Sequence, residues 1–139
     1  MQDSFQGADN RHYNLSPLTL GDLQSFTRFV QYRDWQQFQT LKDDIPQDEF
    51  AAESRRLLQE ASKTRLNESS PEVQAMFASL EGSVYLLYLS LKRNHPAITY
   101  PQVADVVTIP VAKEASEKLA VLSGLYSPEP IKKKEPMNP

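Results

Sequence analysis

Two histidines, four glycines and no cysteine leave little room for catalytic chemistry in this 139-residue chain. His12 lies in a polar N-terminal stretch. His95 stands between Asn94 and Pro96 just after an apolar run, where the dipole of a preceding helix favours positive character and a capping or turn role. A zinc site needs three or four Cys, His or carboxylate ligands at recognisable spacing, and neither paired His nor any Cys is present. The acidic neighbours Asp43 with Asp44 and Asp48 with Glu49 fall in a connection and a first helical turn. Acids at a helix start are expected from the dipole alone, and adjacent residues point in different directions, so they make a poor acid/base pair. The glycines are scattered, which excludes a phosphate-cradling loop of the usual types. Lys132, Lys133 and Lys134 form the densest basic run, but Glu129 and Glu135 flank it and read it as a solvated tail. No cofactor, metal or catalytic residue is expected, and the chain reads as a non-enzyme.

Composition points the same way. An apolar share of 40% supports a core, and a formal charge of -3 gives no general attraction to nucleic acid or anionic lipid. The longest apolar run, Val84 to Leu89, is far short of the roughly 20 residues of a bilayer span. The polar first ten residues lack a secretory apolar core, so a cytosolic setting is expected.

The elements that must carry any function are helical. The strongest signal is Pro71 to Arg93, where Val73, Met76, Phe77, Leu80, Val84, Leu87 and Leu91 recur every three or four residues. Ser70 and Pro71 suit its start, and Asn94 to Pro96 its stop. With Tyr85, Leu86 and Leu89 on the other side, the segment is apolar nearly all round and predicts a central helix, or one with a second face for a partner. A first helix is expected from Thr19, using Leu20, Leu23, Phe26, Val30, Phe38 and Leu41, with a kink near Arg33. A second spans about 47 to 66 on the thin stripe Phe50, Leu57, Leu58 and Ala61, and belongs at the edge of the domain. Thr99 with Gln102 is a capping box for a short fourth helix. A fifth covers about 111 to 123, with Gly124 in the place of a left-handed cap. No alternating β pattern appears. The expectation is all-α: about five helices over residues 13–126 around a central hydrophobic helix, a flexible arm at 1–12 and a disordered Pro/Lys-rich tail at 127–139.

Phe29, Tyr32 and Trp35 step by three along the first helix, off its core stripe. They are either covered by a neighbouring helix of the same domain or form an exposed recognition patch, since Tyr and Trp give large contact area at low entropic cost. With Tyr85, Leu86 and Leu89 they are the candidate partner-binding residues.

Two stretches carry a family likeness. Tyr13-Asn14-Leu15-Ser16-Pro17-Leu18-Thr19-Leu20-Gly21-Asp22-Leu23 resembles the opening of tail assembly chaperones of long-tailed, siphovirus-like bacteriophages. Ser83 to Pro96, followed by Ile98-Thr99 and Val103, resembles that family's apolar helix with a basic end, an Asn/His-Pro turn and a capped short helix. The resemblance implies a late, non-enzymatic protein of the host cell cytoplasm. It would bind the tape measure protein, keep it soluble and recruit tail tube protein, without nucleic acid or membrane. It further implies possible self-association or a frameshifted longer form, for which codons 132–134 would be the slippery site. The alternative from another class is a structural virion protein of the head-tail connector or tail.

Overall fold

A computed structural model describes residues 4–124; the expected tail at 127–139, with its lysine triplet, lies outside them. The described chain is mostly helical, with seven helices and one two-stranded antiparallel sheet. Its described residues form two compact units: 4–19 with 79–124, and Leu20–Ala78. The helical class agrees with the expectation, which had about five helices around a central hydrophobic helix where seven are described.

The first unit opens with a hairpin where a flexible arm at 1–12 was expected. Strand β1 (Ser4–Gln6) pairs with β2 (His12–Asn14) in the register Ser4 to Asn14, Phe5 to Tyr13 and Gln6 to His12. Phe5 and Tyr13 are both buried, with rings 5.5 Å apart. Cross-strand aromatic pairs of this kind stabilise short ladders, and three-residue strands are too brief to betray themselves by alternation. Asn10 takes the turn at φ 66°, a left-handed conformation that Asn tolerates. Gly7 is required by close approach: a Cβ there would meet both Asp9 Oδ1 and Tyr13 Cε2 at 2.8 Å. The hairpin is tied down by Ala8 N–H donating to Val106 O at 2.7 Å and by Lys118 Nζ donating to Ser4 O at 3.0 Å.

The expected helix from Pro71 to Arg93 is two helices in different units. One helix spans Pro71–Phe77 and the other Leu80–Leu91. Between them Ser79 is extended, and its hydroxyl accepts from Gly82 N–H at 2.9 Å, an N-cap that starts a new helix. The first helix breaks as well, into α1 (Leu20–Gln31) and α2 (Arg33–Gln39) about Tyr32. The helices are therefore α1, α2, α3 (Gln47–Lys63), α4 (Pro71–Phe77), α5 (Leu80–Leu91), α6 (Tyr100–Val106) and α7 (Ile109–Leu122). The Thr99/Gln102 capping box forms in both directions, and Gly124 adopts φ 77° just beyond α7, as their residue types predict.

In the first unit Val84, Leu87 and Leu91 of α5 pack with Val103 of α6, Ala115 and Leu119 of α7, and Phe5, Tyr13 and Leu15 of the N-terminal segment. The extended lead is held by polar groups from the end of α5. Ser90 is fully buried; its hydroxyl accepts from Ser16 N–H and donates to Ser16 O, both at 2.7 Å. Asn94 Nδ2 donates to Asn14 O at 3.1 Å, and His95 Nε2 accepts from Asn14 N–H at 3.1 Å. His95 thus joins two segments of chain besides ending a helix.

In the second unit Phe26 of α1 is fully buried and stacks on Phe77 of α4 at 4.6 Å, while Phe38 of α2 stacks on Phe50 of α3 at 5.0 Å. Gln31 Nε2 donates to Ala61 O at 2.9 Å, joining α1 to α3.

Replacing Ser90 by Ala leaves the N–H and C=O of Ser16 without their partner, a loss of about 1–3 kcal/mol. A urea titration should show a lower midpoint at unchanged slope; an unaltered midpoint would mean that the lead does not depend on this residue.

Candidate functional site

Helix α3 begins after Pro46, carries Asp48 and Glu49 in its first turn and Lys63 in its last, and so agrees with its own dipole. Its apolar side chains are sparse: Phe50, Leu57, Leu58 and Ala61 form one narrow stripe. Neither α2 nor α3 holds a fully buried residue among those described. Side by side, the two helices leave an open groove of about 610 Å³, with Trp35 and Phe50 in its lining, Ala51, Ser54 and Leu58 along α3, and Lys42, Asp43, Gln47 and Arg55 around them.

Polar bonds fix the tryptophan in that groove. Trp35 Nε1 donates to Ser54 Oγ at 3.1 Å, and Gln39 Nε2 donates to the same oxygen at 3.0 Å. Gln39 Nε2 also donates to Trp35 O at 3.2 Å. A half-buried indole with its N–H satisfied presents an apolar face from a set orientation, as recognition aromatics do. Leu58, in the same lining, is 38% exposed.

A second hollow, about 540 Å³, lies in the first unit beside Asp9, Arg11, Tyr13, His95, Gln102 and Asp105. Here the Tyr13 hydroxyl donates to Asp9 Oδ2 at 2.6 Å, and Arg11 N–H donates to Asp9 Oδ1 at 3.2 Å. The Tyr13 bond first, then the Arg11 amide and charge, hold the Asp9 carboxyl below its ordinary value; the same bond holds the Tyr13 hydroxyl above its own. His95 spends its Nε2 lone pair on the Asn14 amide. These groups close a turn and fasten a strand. Among the described residues no three His, Cys, Asp or Glu side chains could hold a metal ion, and no helix is long and apolar enough to cross a membrane.

The six candidate partner-binding residues divide between the units. Phe29 is half-buried, its ring 6.2 Å from that of Phe26. Tyr32 lines a shallow hollow with Arg28 and Arg65, and Trp35 lines the α2–α3 groove. In the first unit Tyr85 sits among aromatic rings, 5.6 Å from both Tyr88 and Tyr100, and Leu86 packs on the core. Leu89 is 1% exposed, which corrects its assignment to a recognition surface: it has no face left to offer. Tyr85 and Leu86 are half-buried. The spacing of Phe50, Ser54 and Leu58, four apart on one side of α3, was the available sign of the groove's other wall.

Ser54→Ala removes the acceptor of Trp35 Nε1 and costs about 0.5–1.5 kcal/mol. Because Trp35 is the only tryptophan, its emission should shift and broaden as the indole loses its fixed position; unchanged emission would show that Ser54 does not hold it. The lowered Asp9 value means that its share of stability is present above the ordinary carboxylate range and lost as pH falls through it, below about pH 4. Asp9→Asn should flatten that acid decline in the hairpin amide signals, and an identical decline in the variant would assign it elsewhere.

The chain matches no protein-family model, no curated protein and no solved structure.

Proposed function

We propose that this protein is a non-enzymatic tail assembly chaperone of a long-tailed bacteriophage, acting in the host cell cytoplasm. It binds the tape measure protein, keeps it soluble and recruits tail tube subunits. The resemblance of residues 13–23 and 83–103 to that family brought the reading forward. The observation that supports it best is the α2–α3 groove: two helices joined by an aromatic stack, no fully buried side chain, and Trp35 fixed at the lining of an open apolar hollow.

The physics of such a task fits this surface. A tape measure protein is long, helical and apolar, and would aggregate if bare. A holdase for it needs apolar area that is accessible on an otherwise soluble helical body. A groove between two helices receives the apolar face of a third helix, with anchors every three or four residues. Phe29 and Tyr32 extend the aromatic content of the same unit, while Leu89 is buried.

Co-expression with the neighbouring tape measure candidate tests the reading. The chain should keep that protein in the soluble fraction, and Trp35→Ala should abolish the effect while helical circular dichroism is retained. A tape measure protein equally insoluble with and without the wild-type chain would refute the chaperone. Recovery of this chain from purified virions at a fixed ring-like copy number would favour the structural alternative in its place.

A further inference from the structure

The α2–α3 groove does not stop at Leu58. On α3 its lining steps from Ala51 to Ser54 and Leu58, and the next step on the same face is Ser62, which lines the hollow of about 480 Å³ that holds Tyr32. The facing wall steps likewise from Trp35 to Tyr32 and Arg28, where Gln36 N–H donates to Tyr32 O and Tyr32 N–H to Arg28 O, carrying the chain from α1 into α2. Trp35 bonded to Ser54 and Gln31 bonded to Ala61 tie the two walls together along this length. The two hollows therefore lie in line along one side of the seam between α1–α2 and α3. Their characters differ: the first is lined by Trp35, Phe50 and Leu58, the second by Arg28 and Arg65 with Gln24, Tyr32 and Asn67 beside them. Both arginines are exposed, and among the described residues neither side chain has a hydrogen-bond or ion-pair partner. The two linings hold four bases, Arg28, Lys42, Arg55 and Arg65, to two acids, Asp43 and Glu68, although the whole chain carries 18 acids to 15 bases. The acids of α3 itself, Asp48, Glu49, Glu53 and Glu60, stand outside both linings.

We infer that the two hollows form one seat for an acidic amphipathic helix of a client polypeptide, whose apolar anchors lie against Trp35 and Leu58 and whose carboxylates meet Arg28 and Arg65. The inference rests on the reading of the groove as the seat of a client helix and adds which kind of helix it takes. Seven residues part Trp35 from Arg28, ~10 Å at the helical rise, so on the occupant too the acid stands about two turns from the anchor. Guanidinium groups hold carboxylates through paired N–H donors, and hydrogen bonds assisted by charge in this way are the stronger kind. Arginines already paired within the fold would have nothing to give; these two are unspent. Apolar area alone would accept any helix with a greasy face. The bases beside it turn away an occupant of like charge, so the seat selects as well as holds. A nucleic-acid strand would find the same arginines, but it would have to lay its phosphates across Phe50 and Leu58.

Titration of the full chain with synthetic helical peptides, followed by the emission of its one tryptophan, tests the inference. The peptides lack Trp and carry Leu at every third or fourth position. A pair of Glu, or of Gln in the control, stands about two turns from the central Leu, at the N-terminal end in one set and at the C-terminal end in the other. In one of the sets the Glu peptide should bind more tightly than its Gln counterpart by roughly fivefold or more at low salt, and the difference should shrink as salt screens it. Arg28→Gln with Arg65→Gln should bind the two peptides alike, and Arg28→Glu with Arg65→Glu should prefer a peptide bearing Lys in place of Glu. Circular dichroism checks that each variant keeps its helices, and a reversed preference cannot arise from a lost fold. Equal binding of Glu and Gln peptides in both sets would overturn the inference. So would uptake of no peptide into the hundreds of micromolar, a preference that the variants keep, or binding of a DNA oligonucleotide in place of the Glu peptides. The peptides share nothing with the tape measure protein: a preference for Glu beside an insoluble tape measure protein would sink the chaperone reading alone, and a soluble one without that preference would sink this inference alone.

Discussion

The hydrogen bond from Gly82 N–H to the Ser79 hydroxyl marks the constraint on which the rest of the structure depends. Without a break at Ala78 and Ser79, the apolar positions from Val73 to Leu91 would form one continuous stripe on a single rod. With it, Val73 and Phe77 belong to the unit of α1 to α4, while Val84, Leu87 and Leu91 belong to the unit of the hairpin, α5, α6 and α7. A serine in extended conformation accepts the amide that a new helix leaves unpaired, so starting again costs little where continuing would have been straightforward. The division of labour between the units follows from that single cap.

The units differ in how completely they satisfy their own residues. In the first, even the extended lead is bonded, to Ser90, Asn94 and His95, and aromatic side chains find one another. Polar groups that join distant stretches of chain specify one arrangement, since each leaves an unpaired partner if it moves. The second unit has a firm end, where Phe26 stacks on Phe77, and a spare one, where α2 and α3 meet through Phe38 and Phe50 with nothing fully buried. Fewer buried apolar contacts mean a lower cost of local opening and a surface that gains from being covered.

Helical class, the capping box at Thr99 and Gln102, the left-handed Gly124 and the thin stripe of α3 could all be read in the sequence. Each is decided by residues within one or two turns of one another, through capping geometry, backbone preference or apolar spacing. The hairpin escaped that reading because its evidence is a single aromatic pair, Phe5 and Tyr13, brought together only when the strands align. The break at Ser79 was present as a capping residue, but a serine within an apolar helical pattern is equally compatible with an uninterrupted helix.

What tertiary structure alone decided is which apolar side chains are spent and which remain. Trp35 and Leu89 look alike in sequence, each a large residue off a core stripe. Packing buries Leu89 to 1% exposure and leaves Trp35 at the lining of a groove, its indole held by Ser54 from a helix twelve or more residues away in the chain. Periodicity reports the face on which a residue stands. Whether that face meets its own chain or stays open depends on how distant elements pack, and no local pattern encodes it.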